Sequence, residues 1–278
     1  MPSTRKPASA RASAPPAADG EDSPLYVNAI GRAFQVLHAF DGPRREMTLS
    51  DIAKAAQIDR SAVQRIVHTL ETLGYVTRVP DSKNYRLTSR LLQFSYNYVR
   101  TNELIAKALP YLQELNRSFG ETTNLQELDG TDIVLVARLL SPHLMNVEIA
   151  VGSRLPAFCT ASGTAILSRL PESESDAILA ASERRPLTPY TELRLDRLRQ
   201  RIRTAARRGY SLVTNEAMLG DISLAAPVLD HRGWPVAAVN ISVPTARWTV
   251  EQVESDLANH VQATAMTLSA TKFSFFAR

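Results

Sequence analysis

Apolar residues recur at helical spacing in the first third of this chain and at alternate positions further on. Between residues 60 and 70 the apolar positions follow the i, i+3, i+4, i+7 rule of a helix with one packed face: Val63, Ile66, Val67 and Leu70. Thr48 with Asp51 makes a capping-box-like start for a short helix before it, and Asp59 stands as the N-cap of the second helix. The pattern predicts two short helices joined by a tight turn.

Flanking segments complete a small domain around these two helices. A helix is predicted from about Asn28 to Phe40, with a buried face of Ile30, Phe34 and Leu37 and with Val36 as an alternative member. Strand-like residues 75–79 and 85–87, separated by a turn at 80–84, predict a β-hairpin. Three helices followed by a hairpin describe a winged helix-turn-helix.

The remainder of the chain predicts mixed helix and sheet. Helical spacing resumes at Ser89 and ends near Gly120, and a capping box at Thr249 opens a C-terminal helix. Six strand-like runs lie between them: 124–128, 133–139, 145–151, 210–213, 222–229 and 236–243. The expected fold class is α+β, with an N-terminal winged helix-turn-helix, a linker helix and a C-terminal antiparallel sheet with flanking helices.

Four segments follow from this organisation. Residues 1–24 are rich in Ala, Pro and Ser and predict a disordered basic tail. Residues 25–88 form the winged domain, 89–101 the linker helix, and 102–278 a second domain. With 278 residues, 44% of them hydrophobic and without a run of about 18 apolar residues, the composition is that of a globular chain without a transmembrane helix. A single cysteine is consistent with a reducing cytoplasm.

Positive charge is concentrated where the paired helices lie. Residues 1–90 hold 13 Lys/Arg and 9 Asp/Glu, whereas residues 91–278 hold 19 of each. The second helix of the pair carries side chains that reach base edges and phosphates on the face opposite its apolar one: Arg60, Ser61, Gln64, Arg65 and His68. Lys83 and Arg86 stand on the predicted wing. The sequence therefore predicts binding to double-stranded DNA, with a merely solvated helix face as the alternative.

The chain resembles the isocitrate lyase regulator (IclR-type) family of bacterial transcription regulators over about residues 25–270. Two motifs carry the resemblance, Leu49-Ser-Asp-Ile-Ala with Val63-Gln-Arg-Ile-Val-His-Thr-Leu, and Gly152-Ser-Arg-Leu-Pro-Ala-Phe-Cys-Thr. The motif at Gly152 is most similar to that of the branch that controls aromatic-acid catabolism. The resemblance implies a GAF-like effector-binding domain, a homodimer or homotetramer, and a small carboxylate effector in a cytoplasmic regulator that uses no cofactor.

The effector pocket of the family falls on nine positions of this chain: Leu155, Ala161, Ser162, Gly163, Val213, Asp221, Ser223, Asn240 and Ser242. Val213 stands where family members that bind small keto-acids have a polar residue, which favours a larger, less polar ligand. The helix that begins near Gly163 offers N–H groups for a carboxylate, and Arg154 is a second candidate partner for it.

Two other functions stay open at this point. An enzyme would use Cys159 or Ser162 as nucleophile, although no catalytic motif surrounds either residue, and His and Cys show no metal-ligand spacing. Alternatively, the second domain is a dimerisation module without a ligand. The arginine-rich run 194–208 also suggests a second nucleic-acid site, although a solvated amphipathic helix is the simpler interpretation.

Overall fold

The computed structural model describes residues 23–41, 44, 46–143 and 149–270. This part of the chain forms two compact units, with the boundary between Tyr98 and Val99. The predicted N-terminal tail lies outside the described residues except for Ser23 and Pro24.

The first unit is a winged helix-turn-helix, as predicted. Its helices are α1 (Asn28–His38), α2 (Leu49–Ala56) and α3 (Arg60–Thr72). The hairpin strands are β2 (Val76–Arg78) and β3 (Asn84–Leu87), and a short strand β1 (Met47–Thr48), which the sequence pattern did not predict, pairs antiparallel with the other side of β3.

Helix caps fix where the helices of this unit begin, and one apolar core holds them together. The Thr48 hydroxyl accepts from the Asp51 N–H while the Asp51 carboxylate accepts from the Thr48 N–H, so a full capping box starts α2. Asp59 accepts from the Ala62 N–H at 2.9 Å and starts α3. The core is formed by one side of each helix and by the wing: Val36, Phe40, Met47, Ile52, Val63, Val67, Leu70 and Val76.

The predicted buried face of α1 is wrong in two positions. Ile30 and Phe34 are 56% and 58% exposed, whereas Val36 is fully buried and Leu37 packs against the core. Of the residues of α1 only Val36 is buried, whereas Ile30 and Phe34, an i, i+4 pair, are more than half exposed in the described structure.

Two helices follow the wing along the chain. A 3-10 turn, Ser89–Leu91, leads into α4 (Leu92–Thr101), and the boundary between the two units falls within α4. Asn102 then caps α5 (Glu103–Phe119) through its side-chain oxygen, which accepts from the Ile105 N–H at 3.1 Å.

The second unit is built on one antiparallel sheet. Within the described residues it has six strands in the order β6-β5-β4-β9-β8-β7. These are β4 (Thr122–Asp129), β5 (Asp132–Leu139), β6 (Arg154–Pro156), β7 (Ser211–Thr214), β8 (Asp221–Leu229) and β9 (Pro235–Pro244). The helices are α6 (Ala161–Leu167), α7 (Glu172–Ala181), α8 (Leu195–Arg208), α9 (Val250–Gln252) and α10 (Ala258–Ser269). The α+β class is confirmed.

The two faces of this sheet carry different side chains because residues alternate along each strand. On β9, Val239, Ile241 and Val243 pack on the side of the sheet covered by α10, as do the alternate residues of β8, and α5 covers β4 and β5. The opposite face is apolar where α6, α7 and α8 cover it, with Ala225, Ala238 and Val213 in that cluster. The remaining residues of that second face are polar.

The strand predicted over 145–151 is not where the third strand lies. Residues 144–148 are outside the described part, Ile149 to Gly152 form no strand, and the edge strand is β6, which lies after the predicted run. Strand β6 has three residues, which is too few for an alternating pattern to distinguish it from a loop. None of the described helices is long and apolar enough to cross a membrane.

Candidate functional sites

The outer face of α3 is a surface of exposed polar and basic side chains. Arg60, Ser61, Gln64, Arg65 and His68 are all exposed, while Val63 and Val67 on the opposite face are buried. The turn before α3 is tight because Gln57 adopts the left-handed conformation, with φ 56°, at the end of α2. The predicted DNA-facing set of α3 therefore lies on one face.

Most of these side chains make no contact that would compete with DNA. Among the described residues, no hydrogen bond or ion pair engages the side chains of Arg60, Gln64, Arg65, His68, Lys83 or Arg86. Ser61 differs, because its hydroxyl donates to Asp59 at 2.6 Å. Since that hydrogen is used, Ser61 offers an incoming base or phosphate only its acceptor lone pairs.

The wing supplies further cations. Lys83 lies in the exposed turn of the hairpin and Arg86 is exposed on β3. Arg78 on β2 is also exposed and donates through Nε to the Ser82 carbonyl at 3.2 Å. Arg78 was not among the predicted residues, although it stands beside the same turn.

The arginines of α8 contrast with this surface. Arg199 bonds to Asp176 at 2.8 Å, Arg203 to Glu172 at 2.6 Å and Arg208 to Glu254 at 2.6 Å. Because carboxylates already neutralise most of the arginines in this run, it does not resemble a second nucleic-acid site.

A cleft opens on the polar part of the sheet in the second unit. Its cavity volume is about 60 Å³, and the unfilled space amounts to about 600 Å³ when the open solvent at its mouth is included. Eight of the nine predicted effector residues line it: Leu155, Ala161, Ser162, Val213, Asp221, Ser223, Asn240 and Ser242. Leu155 and Val213 form apolar wall, while the polar residues of β8 and β9 form the floor.

Gly163 does not line the cleft. A Cβ at this position would lie 2.1 Å from the carbonyl oxygen of Ala157, so only glycine lets α6 approach the preceding turn. The Gly163 N–H donates to the Thr160 hydroxyl, its own helix cap, at 3.2 Å. Gly163 was expected to contact the ligand. In this structure it instead allows α6 to pack closely against the preceding turn.

Several lining residues were missed by the sequence analysis. Asn124 and Gln126 on β4 and Arg138 on β5 all face the cleft, as does the loop 215–218. Asn124 and Gln126 flank the apolar Leu125, which is a period-two signal that could have been used. Arg138 gives no such signal, because a bulge in β5 skips Val136 and brings Leu135 and Arg138 to the same face.

A chain of side-chain hydrogen bonds runs across four strands on the cleft floor. Arg138 Nη1 donates to Asn124 Oδ1 at 2.9 Å, and Asn124 Nδ2 donates to Asn240 Oδ1 at 2.6 Å. Asn240 Nδ2 then donates to Ser223 Oγ at 2.7 Å. The two amides are thus held in one orientation, and the Ser223 hydrogen stays available for a ligand acceptor.

Asp221 and Ser242 form a second polar group at the end of the cleft floor. The Ser242 hydroxyl donates to Asp221 Oδ1. Burial raises the pKa of the Asp221 carboxyl to about 6, and this Ser242 bond and the positive charge of Arg138 oppose the rise.

The other predicted polar groups are already engaged. The Ser162 hydroxyl donates to Gln126 Oε1, and Arg154 pairs with Asp129 and Asp132 at the sheet edge. Arg154 is therefore no partner for a ligand carboxylate in this structure. Glu216, in the loop over the cleft, pairs with Arg201, whose Nη2 also donates to the Phe158 carbonyl at 2.5 Å.

Cys159 is fully buried beside the cleft. Burial raises the pKa of its thiol to about 12, and the negative charge of Glu216 adds to this. A thiol that stays protonated is a poor nucleophile, so its contribution here is packing. No group of three His, Cys, Asp or Glu side chains in the described ranges could hold a metal ion.

Known families match both units of the chain. The C-terminal domain of the bacterial transcriptional regulator IclR matches residues 96–270, and the IclR helix-turn-helix domain matches residues 29–80. The Pca regulon regulatory protein of Pseudomonas putida is 31% identical over 232 residues, which cover 83% of this chain and 79% of that protein.

Solved structures agree with these matches. The crystal structure of Thermotoga maritima IclR has a TM-score of 0.65, with 26% identity over 88% of this chain and 98% of that one. A complex of 3-hydroxybenzoic acid with a double mutant of the PobR inducer-binding domain from Acinetobacter has a TM-score of 0.55. It is 27% identical over 59% of this chain and 96% of that one.

Replacing Asp221 tests the cost of the buried carboxylate. The pKa of this carboxyl is about 6 in the folded state and 3.8 ordinarily. The folded state is therefore not penalised by this group below about pH 3.8, and it loses stability as the pH rises from there through about 6. We expect Asp221→Asn to raise the free energy of unfolding by about 1–3 kcal/mol at about pH 7, and much less at about pH 4.5. Urea titrations at both pH values measure the difference. The exposed Asp256→Asn is the control and shifts stability by less than about 0.5 kcal/mol; an equal or lower stability of Asp221→Asn at neutral pH contradicts the assignment.

Proposed function

Because the chain belongs to the IclR family of bacterial transcriptional regulators, we propose that it binds operator DNA and senses a small organic acid, with aromatic acids as the first candidates. In this proposal residues 25–88 bind DNA, 89–101 form the linker helix, and 102–278 bind the effector and contribute to oligomerisation. A protein that regulates transcription in a bacterium works in the cytoplasm. The observation that carries the proposal is the cleft, which has apolar side chains in its wall and the guanidinium of Arg138 on its polar floor, close enough to Asp221 for the two charges to interact.

The cleft chemistry supports a carboxylate ligand with an apolar body. Arg138 is the cation of the floor, and Leu155, Leu135 and Val213 supply apolar wall. A two-carbon keto-acid would leave these apolar side chains without contact, whereas a ring would bury them. The related PobR domain, which was solved with 3-hydroxybenzoic acid, supports the same choice.

The exposed face of α3 supports binding in the major groove. In helix-turn-helix proteins the second helix presents its side chains to base edges, while flanking cations contact phosphates. We assign Ser61, Gln64 and Arg65 to base edges and Arg60 and His68 to phosphates. Lys83 and Arg86 on the wing reach the backbone or the minor groove.

Exposed apolar side chains in the first unit support a homo-oligomer. Ile30 and Phe34 form an exposed apolar pair on α1, and Leu92 and Phe94 on α4 are 66% and 60% exposed. Apolar surface of this kind is typical of association sites, and a second copy of the chain satisfies it through a two-fold interface. Two recognition helices related in this way match palindromic operators.

Regulation follows from coupling between the two ligands. If effector and operator prefer different arrangements of the chain, each changes the affinity of the other by the same factor. No catalytic step is part of the proposal, because the Cys159 thiol is buried and protonated and the Ser162 hydroxyl is bonded to Gln126.

Arg65→Ala tests the DNA-binding face. Loss of a base-edge contact is expected to weaken binding by about 1–3 kcal/mol, or about 5- to 150-fold. Fluorescence anisotropy measures this with a duplex that the wild-type protein selects from a random-sequence pool. Arg207→Ala, an exposed arginine of α8, is the matched control and leaves affinity unchanged. Unchanged operator affinity of Arg65→Ala, or an equal loss in the control, refutes the assigned face.

Addition of an aromatic acid tests the sensor. At 100 times its dissociation constant, 3-hydroxybenzoate or 4-hydroxybenzoate is expected to add about 2.7 kcal/mol to the stability of the native state. Thermal unfolding measures this shift, and operator binding in the same buffer measures the coupling. Pyruvate is the comparison acid and is expected to have a smaller effect. If no acid changes either quantity, the second domain is a dimerisation module and the sensing proposal fails.

Phe34→Asp tests the oligomer. A carboxylate placed in an apolar interface is desolvated without a partner, so the variant is expected to dissociate at concentrations where the wild type associates. Sedimentation velocity measures the mass, and Phe94→Asp tests the α4 surface in the same way. Tyr190→Asp, at an exposed aromatic of the second unit, is the control. A wild-type monomer, or variants with wild-type mass, would refute this interface.

A further inference from the structure

Ser61 lies at the N-terminal end of the exposed face of α3. It is itself exposed, and it shares this face with Gln64, Arg65 and His68, which follow it at i+3, i+4 and i+7. In helix-turn-helix proteins the N-terminal residues of the recognition helix contact base edges in the major groove. In the proposed complex with DNA, Ser61 therefore lies where bases are read.

The hydrogen of the Ser61 hydroxyl is directed at Asp59. Ser61 Oγ and Asp59 Oδ1 are 2.6 Å apart, and Ser61 is the donor because an ionised carboxylate has no hydrogen to give. The same Asp59 oxygen accepts from the Ala62 N–H at 2.9 Å. The bond from Ser61 first, and the Ala62 N–H after it, hold the pKa of the Asp59 carboxyl below its ordinary value. Asp59 is therefore ionised at neutral pH, and the hydrogen stays with Ser61.

The direction of this bond determines what Ser61 can bind. With its single hydrogen used, the hydroxyl oxygen offers only lone pairs, and the bond to a carboxylate strengthens it as an acceptor. Turning the hydrogen toward a base would break a hydrogen bond to a charged group, which is stronger than one between neutral groups. Ser61 thus needs a hydrogen-bond donor from the DNA.

Phosphates do not meet this requirement. Their oxygens are acceptors, and their negative charge is repelled by the Asp59 carboxylate. Asp59 and Ser61 therefore form an acceptor-only pair beside the exposed cations Arg60 and Arg65, which suit phosphates and base acceptors. The cap of α3 alone does not require this charge, because serine or threonine caps a helix without one. The pair is thus suited to selectivity among bases and not to general affinity for DNA.

In the major groove only amino groups supply the required donor. Adenine has one at N6 and cytosine has one at N4, whereas guanine has acceptors at O6 and N7 and thymine has an acceptor at O4. Each base pair carries its major-groove amino group on one strand only. An acceptor at a fixed place therefore distinguishes adenine and cytosine from guanine and thymine on the strand that it contacts.

We propose that Asp59 and Ser61 together select adenine or cytosine at one position of the operator, with Ser61 Oγ accepting from the exocyclic amino group. This assignment rests on the proposed binding of operator DNA and adds the chemical class of base that the N-terminal end of α3 reads. Asp59 is the positioning residue, because it orients the Ser61 hydroxyl and repels the oxygen that guanine or thymine would place there.

Binding of the full chain to DNA duplexes tests the selected base. Wild type and Ser61→Ala each select duplexes from a random-sequence pool, and the position whose base composition differs most between them is the one assigned to Ser61. We expect wild type to bind duplexes with adenine or cytosine there about 3- to 10-fold more tightly than those with guanine or thymine, as measured by fluorescence anisotropy.

Base analogues test the amino group itself. Replacing the selected adenine by purine, or the selected cytosine by 2-pyrimidinone, removes only the amino group. This loss is expected to weaken binding of wild type by about 3- to 10-fold and binding of Ser61→Ala by less than about twofold, because the variant has no acceptor to lose a partner.

Asp59→Gly tests the positioning role. Glycine still serves as a helix cap, but it offers no side-chain acceptor, so the Ser61 hydrogen becomes free and the preference for amino-bearing bases is expected to fall to within about twofold. Asp41→Asn, at an exposed aspartate of the same unit, is the control for loss of a negative charge. Loss of an acidic charge strengthens binding to every duplex, whereas only Asp59→Gly changes the ratio between bases. Circular dichroism verifies that each variant is folded.

Four outcomes overturn the assignment. Ser61→Ala changes no base preference, wild type prefers guanine or thymine at the position that Ser61→Ala changes, the amino-free analogues bind wild type as tightly as the parent duplex, or Asp59→Gly keeps the full preference. In each case the DNA-binding function still stands if Arg65→Ala weakens binding of the selected duplex. If wild type selects no duplex from the pool, the DNA-binding function fails together with this assignment.

Discussion

The alternation of side chains across one antiparallel sheet is the constraint on which the second unit depends. Along β8 and β9, every second residue packs under α10, so the intervening residues must point to the other face. Where α6 to α8 do not cover that face, Asp221, Ser223, Asn240 and Ser242 are brought together. A single-residue slip in register would exchange this polar floor with the core, so the buried face determines the geometry of the site.

Sequence reasoning worked best where structure is local. The capping box at Thr48, the cap at Asp59 and the helical spacing of α3 depend on residues within one or two turns, and the structure has them as predicted. Asn240 and Ser242 share a face at i, i+2, which sequence alone shows. The failures have non-local causes. Arg138 reaches the cleft through a bulge, and Gly163 is explained by the backbone of Ala157, which no periodicity reveals.

The predicted burial of α1 failed for a related reason. Ile30 and Phe34 follow the helical period, yet the core takes up Val36 and Phe40 further along the chain. An apolar stripe on a helix indicates only that this face is buried against something. The pattern does not show whether the face packs against the same chain or against a second copy of it. Charge patterns are limited in the same way. The sequence shows the arginines of α8 but not their carboxylate partners, which lie on other elements.

The polar floor is not the arrangement that would maximise stability. The ionised form of the half-buried Asp221 is disfavoured by desolvation, and Arg138 has a buried Nε that no described residue accepts from, although apolar residues in their places would avoid both penalties. A binding site has to keep such groups, since hydrogen bonds satisfied within the fold would not be available to a ligand. Arg154 illustrates the alternative: two aspartates satisfy it, and it has no role in the cleft. In the proposed sensor, a ligand that accepts from Arg138 Nε would lower the free energy of the bound state relative to the free one, and such a difference between states is what lets a ligand shift an equilibrium.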